Sequence, residues 1–124
     1  TFGGALRVIV AHPSLATDRP LRADGTPDNR FVAKTQTLTP AVNAPGTGIG
    51  IATSLGFRTY PNQDSPLPVI RNEELILLRA EARYFTGDVP GAVADLNEVR
   101  VRSGGLAPIT ASQVASRDDF VTEL

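Results

Sequence analysis

Beyond Pro68 the hydrophobic period of the chain changes, and this change limits the possible folds more than any other feature of the 124 residues. In the segment VIRNEELILLRAEARYFTGD, starting at Val69, Leu75, Leu78, Ala82 and Phe85 recur at three- and four-residue steps. The charged residues Glu74, Arg79, Glu81 and Arg83 fall mostly off that stripe, the pattern of an amphipathic helix. Asn72 reads as its N-cap, with Glu73 and Glu74 in the first turn, and Gly87 as the left-handed residue that closes it. Asp88 then caps a second helix with Pro90 in its first turn. Ala92, Val93, Leu96 and Val99 form the second stripe, and Ser103 with Gly104-Gly105 ends it. The spacing predicts helices over Asn72 to Thr86 and Pro90 to Ser103, packed as an antiparallel pair through Leu75, Leu78, Ala82, Ala92, Leu96 and Val99. A third start follows at Ser116, where an acid-rich turn precedes Phe120, Val121 and Leu124.

Upstream the text is different, because eight of the ten prolines lie at or before Pro68. Proline removes a backbone donor and breaks helices, so little helix is expected there. Leu6 to Ala11 (LRVIVA) reads as a short strand or the start of a buried helix, bounded by Pro13. Ala16 to Arg30 reads as loop, with turns at Asp24-Gly25 and Pro27-Asp28. Phe31 to Thr39 alternates Phe31, Ala33, Thr35 and Thr37 and reads as a strand. Gly50 to Tyr60 offers a second strand, pairing with it across a glycine-rich loop at Pro45 to Gly50. The expected fold is mainly α, with a helical hairpin in 69–124 preceded by a loop-rich segment carrying a short β-hairpin in 1–68.

Charge and composition remove several classes of function. Twelve basic and thirteen acidic residues leave a formal net charge of -1, which disfavours nucleic acid as a partner. No run approaches the roughly 18 consecutive apolar residues of a membrane span. The absence of cysteine rules out thiolate catalysis, Cys-based zinc sites and disulfides, and a single histidine, His12, cannot form a His-rich metal cluster. No metal or other cofactor is expected. The chain starts at Thr1 and contains no Met, so it reads as a fragment of a longer polypeptide.

Other tempting sites resolve into structural readings. Gly46-Thr47-Gly48-Ile49-Gly50 resembles a phosphate loop, but position 51 is isoleucine and no Gly-Lys-Ser/Thr follows, so a hairpin loop is favoured. His12 lacks a nucleophile or carboxylate partner and reads as a loop or strand-end residue. Glu74 and Glu81 share a helical face, but two turns separate them by about 10 Å, long for the paired carboxylates of most glycosidases. They read as salt-bridge partners for Arg71, Arg100 or Arg102. Asp18 with Arg19, and Arg100 with Arg102, read as charges that organise the fold.

The stretch AEARYFTGDVPGAVADLNEVR resembles a tetratricopeptide-type hairpin, with small Ala80 and Ala92 at the helix crossing, Gly87 in the turn and Leu96 one turn later. A longer match, PLPVIRNEELILLRAEARYFTGDVPGAVADLNEVRVRSGGL, resembles the SusD/RagB family of outer-membrane, glycan-binding lipoproteins. Its ordered positions are Pro68, Ile70, Arg71, Glu74, Leu77, Leu78, Ala80, Glu81, Ala82, Gly87, Ala92, Leu96, Asn97, Val99, Arg100, Arg102 and Gly104. Thr17-Asp18-Arg19 is similar to a short Asp-Arg motif of that family. The family's Glu-Gly-x-Arg segment would fall beyond Leu124.

The resemblance implies a SusD-like domain, of which both segments are part, and a non-enzymatic protein. Its role would be to capture an oligosaccharide at the outer-membrane surface and pass it to a SusC-like TonB-dependent porin. The parent would be a surface-exposed lipoprotein whose signal and anchoring Cys lie outside these residues. Sugar recognition needs an aromatic face beside amide or carboxylate groups, and Tyr60 with Asn62, Gln63 and Asp64 is the best such cluster; a turn tyrosine packed on the helices is its structural alternative. Phe85 and Phe120 fall on helical stripes and read as core. The rival function is a tetratricopeptide-like scaffold for protein–protein interaction. Because the third helix stops soon after Phe120, apolar surface near Leu77 and Val93 should be left open, and self-association, or partial disorder of the ends, is expected.

Overall fold

The structure, a computed structural model, describes residues 10–43, 51–60, 62 and 64–124. Among them it is mainly helical with one small antiparallel sheet, as the sequence predicts. The chain forms two compact units, one made of Thr1–Pro20 and Arg30–Pro66, the other of Leu21–Asn29 and Leu67–Leu124.

The first unit is built on a hairpin of β1 (Thr35–Asn43) and β2 (Ala52–Phe57). Thr35 lies opposite Phe57, Thr37 opposite Leu55 and Val42 opposite Thr53, with a register shift between Thr37 and Val42. Pro40 falls in that interval, and proline has no N–H to give to a ladder. The segment before the hairpin adds to its edge: Val10 bridges Gly56, the Ala11 amide donates to the Leu55 carbonyl at 2.9 Å, and the buried Thr53 hydroxyl donates to the Ala11 carbonyl at 2.9 Å. Most of the strand anticipated at Leu6 to Ala11, and the loop at Pro45 to Gly50, lie outside the described residues. Two short helices correct the upstream reading, α1 (Ser14–Thr17) and α2 (Asn29–Lys34). Phe31 to Lys34 is therefore helix, and the strand begins only at Thr35. The Thr35 hydroxyl donates to the Phe31 carbonyl at 2.7 Å, four residues back, and the Arg19 guanidinium stacks 5.0 Å over the Phe31 ring. Over so few residues an alternating pattern cannot exclude a helical turn.

In the second unit α3 (Asn72–Phe85) and α4 (Val89–Asn97) form the expected hairpin. Its turn follows from the sequence. Gly87 takes φ 92°, its amide donates to Tyr84 at 3.1 Å, and the Asp88 amide donates to Arg83 at 2.9 Å, the paired bonds that close a helix through a left-handed glycine. The Asp88 carboxylate then accepts the Gly91 amide at 3.0 Å, with Pro90 inside the first turn. At the other end of α3 the N-cap is Arg71 and not Asn72, and no side chain caps it. Glu73 and Glu74 in the first turn complement the positive end of the helix dipole instead.

The buried face of α3 differs from the one the stripe predicts. Ala80 is fully buried, with Leu77 and Tyr84 packed beside it, whereas Leu75, Leu78 and Phe85 are half exposed and Ala82 is exposed. On α4 and the turn that continues it the reading holds: Ala92, Leu96 and Val99 are buried. Ala80 and Ala92 join Leu96, Ile109, Val114 and Phe120 in one cluster, and Tyr84 stacks on Phe120 with ring centroids 3.9 Å apart. Val93 also packs on this cluster, so Leu77 and Val93 are not left open as expected; the exposed apolar residues of this unit include Val69, Leu75, Leu78, Phe85 and Val121.

After Asn97 the second helix widens into a π turn, Glu98–Ser103, in which the Gly104 amide reaches back five residues to Val99. The chain then returns past the helix end, held by side chains that mimic backbone pairing. Asn97 donates from Nδ2 to the Ile109 carbonyl at 2.9 Å and accepts the Ile109 amide at 2.8 Å, while Arg100 donates from Nε to the Ala107 carbonyl at 2.8 Å. Thr110 and Gln113 cap a 3₁₀ turn, Ala111–Val114, reciprocally, and Ser116 caps α5 (Arg117–Glu123) by accepting the Asp119 amide. Gly105 takes φ 69°, and a Cβ there would sit 2.7 Å from Asn29 Nδ2.

Two substitutions test this packing by thermal or denaturant unfolding. Ala92→Leu overfills the helix crossing and is expected to destabilise the protein by about 1 to 3 kcal/mol; an unchanged midpoint would contradict the close approach. Gly105→Ala combines backbone strain with a collision, so it is expected to cost more than Gly25→Ala, where φ is 77° but the space is open.

Candidate functional site

The anticipated ligand cluster lies at the end of the first unit, where the chain leaves β2. Tyr60 is 45% exposed. Two residues on, a tight turn fixes Asn62: its amide N–H donates to the Ser65 hydroxyl at 3.1 Å, and that hydroxyl donates to Asn62 Oδ1 at 2.8 Å. The asparagine backbone is thereby held while its side-chain NH2 keeps both donors uncommitted among the described residues. Asp64 is exposed in the same turn, and Gln63 lies outside the described residues.

Other candidates take structural roles. His12 Nδ1 accepts the Ser14 amide at 3.1 Å and lies 2.9 Å from the Ser14 hydroxyl, so the imidazole caps α1. Arg100 pairs with Glu123 at 2.6 Å and Arg102 with Glu98 at 2.8 Å. This corrects the expectation that Glu74 and Glu81 pair with Arg71, Arg100 or Arg102: among the described residues neither glutamate has an ion-pair partner. Both arginines of the Arg-x-Arg motif are met first by nearer carboxylates, one four residues back along the helix and the other on α5. Among the described residues no three His, Asp or Glu side chains gather as a metal site, and no helix is long and apolar enough to cross a membrane.

The strongest electrostatic feature is one that sequence reading passed over. Asp95 on α4 is 5% exposed and binds two arginines of α3. Arg79 donates to it twice, from Nε at 2.9 Å and Nη2 at 2.8 Å, and Arg83 donates from Nη1 at 2.8 Å. The hydrogen bonds from Arg79 hold the Asp95 carboxyl below the usual carboxylate range; the charges of both arginines add to this and outweigh the opposing effect of burial. The same bonds raise Arg79 above its ordinary value. Arg83 also reaches the Gly91 carbonyl at 3.3 Å and lies 3.7 Å from Asp88, tying the hairpin turn to the same group. A sequence signal existed in the four-residue spacing of Arg79 and Arg83, which stacks two cations on one helix flank. The partner could be found only once the helices were docked.

A model of the SusD family (SusD_RagB) matches residues 18–123, most of the chain, and the chain belongs to that family. It is a binding family of the outer-membrane surface, concerned in general with glycans and other nutrients and working with SusC-like porins. No curated protein and no solved structure matches the chain.

Asp95 gives a pH-dependent test. Its pKa is depressed on folding, so its stabilising effect is complete above the unfolded value near pH ~3.9 and is lost as the pH falls through the lower folded value. Asp95→Asn is expected to lower stability by about 1 to 3 kcal/mol at neutral pH and to flatten the fall in stability below about pH 4, both read from denaturant midpoints across pH. An acid limb as steep as that of the parent would remove Asp95 from this role.

Proposed function

We propose that this chain is part of a nutrient-binding protein that takes an oligosaccharide at the outer-membrane surface and delivers it to a TonB-dependent, SusC-like porin. The observation that carries this reading is the match to the SusD family over residues 18–123. The parent is a surface lipoprotein, and segments 1–68 and 69–124 belong to one SusD-like domain. The protein binds and does not hydrolyse: Glu74 and Glu81 stand two turns apart on one helix, about 10 Å of rise, long for the paired carboxylates of most glycosidases.

Tyr60, Asn62, Gln63 and Asp64 form the ligand contact in this reading. The exposed Tyr60 ring stacks on the apolar face of a sugar, while the Asn62 NH2 and Asp64 carboxylate meet its hydroxyls. A glycan array identifies the ligand, and calorimetry then measures it against variants. Tyr60→Ala is expected to weaken binding roughly five- to tenfold with an unchanged unfolding midpoint. Equal affinity in parent and variant would move the contact elsewhere, and the absence of any glycan ligand, with binding of a peptide instead, would replace the oligosaccharide in this reading.

A further inference from the structure

The turn after β2 is closed largely by one side chain. Three hydrogen bonds join Asn62 and Ser65: the Ser65 amide donates to the Asn62 carbonyl at 3.3 Å, the Asn62 amide donates to the Ser65 hydroxyl oxygen at 3.1 Å, and that hydroxyl donates to Asn62 Oδ1 at 2.8 Å. Only the first runs from backbone to backbone, and it is the longest. The other two pass through Ser65 Oγ, which holds the backbone and the side chain of Asn62 together. Ser65 is itself restrained, because Pro66 follows it and the residue before a proline is steered to extended backbone.

This bonding assigns the two ends of the Asn62 amide. A hydroxyl has one proton, and the Ser65 oxygen already accepts the Asn62 N–H, so the proton goes to the carbonyl end of the side chain. With Oδ1 bonded to Ser65, the NH2 end has no partner among the described residues. An asparagine lacking such a bond can turn its amide over and offer a donor or an acceptor. Held by Ser65, position 62 offers only donors, while a carboxylate at Asp64 only accepts.

We propose that Ser65 is a positioning residue for ligand recognition: it fixes Asn62 as a hydrogen-bond donor, so that the turn selects a ligand oxygen that accepts at Asn62 and a ligand hydroxyl that donates to Asp64. The inference rests on the reading of Tyr60, Asn62 and Asp64 as the ligand contact. It adds the direction of each bond and the residue that sets it, one that does not itself touch the ligand.

The probe is the glycan that gives the parent its strongest signal on a printed array, titrated in solution by calorimetry. Asn62→Asp keeps an oxygen for the Ser65 hydroxyl but loses the NH2, and is expected to weaken binding about tenfold. Ser65→Ala releases the amide and is expected to weaken binding roughly three- to fivefold, and Ser65→Thr, which keeps the hydroxyl, to restore it. In an Asn62→Ala background Ser65→Ala should have no further effect. The same role is read without any glycan from nuclear magnetic relaxation of the Asn62 side-chain NH2, which should be ordered in the parent and in Ser65→Thr and fall below an order parameter of about 0.6 in Ser65→Ala. Parent affinity in Ser65→Ala, where Asn62→Asp and Tyr60→Ala both bind weakly, overturns the positioning role and leaves the contact standing. So does a loss that threonine fails to restore or that persists in the Asn62→Ala background, because Ser65 then acts by another route. An NH2 as mobile in the parent as in Ser65→Ala overturns it whatever the glycan. Equal affinity in the parent, Asn62→Asp and Tyr60→Ala removes the contact itself, and this inference with it.

Discussion

The second unit is organised around one buried carboxylate. Asp95 is held by three hydrogen bonds from Arg79 and Arg83, so α3 can meet α4 only at the rotation and height that bring both guanidinium groups to it. A buried carboxylate without such partners would cost several kcal/mol, so misregistered dockings of the two helices are penalised. Because the two arginines remain partly solvated at their outer edges, the group sits between a surface pair and a fully desolvated one. Once that rotation is set, Ala80 faces Ala92, the axes approach closely, and Tyr84 is brought onto Phe120 to close the core.

Several of the residues by which the chain is recognised as a SusD-family member are engaged in holding this unit together. Asn97 and Arg100 secure the returning segment, Gly104 accepts the Asn29 amide through its carbonyl at 2.9 Å, and Ala80, Ala92, Leu96 and Val99 are core. Side chains already committed to internal bonds or packing are poor ligand hooks. A family signature of this kind therefore reports a shared scaffold. This is why membership is clear from residues 18–123 although the ligand is not written in them.

The π turn after Asn97 has a related role. Widening the helix for six residues interrupts the α-helical register, and Arg100 reaches both the Ala107 carbonyl and Glu123 on α5. The segment after the hairpin is thus anchored by polar contacts at Asn97 and Arg100 and by the apolar side chains of Ile109, Val114 and Phe120. α5 is only Arg117–Glu123, too short to be stable by itself, and it depends on burying Phe120.

The sequence by itself determined the features that rest on local chemistry. Gly87 and Asp88 set the helix turn, Ser116 started α5, two upstream strands were expected close to where β1 and β2 lie, and the α4 stripe was read correctly because that helix has only one apolar face. Tyr60 could be singled out as an aromatic beside polar groups, but no local rule says what such a cluster binds. Tertiary structure decided the rest. Two apolar stripes were available on α3, at positions 77, 80 and 84 and at 75, 78, 82 and 85, and helical periodicity ranks the second higher because it has one more apolar member and ends on Phe where the first ends on Tyr. Docking favoured the first, because only there does small Ala80 meet small Ala92 while Arg79 and Arg83 reach Asp95. Phe31 to Lys34 was settled in the same way, by the stacking of Arg19 on Phe31 and the bond from Thr35, contacts that alternation in the sequence cannot express. Periodicity records which faces of a helix can be buried, and partners distant in sequence select the one that is.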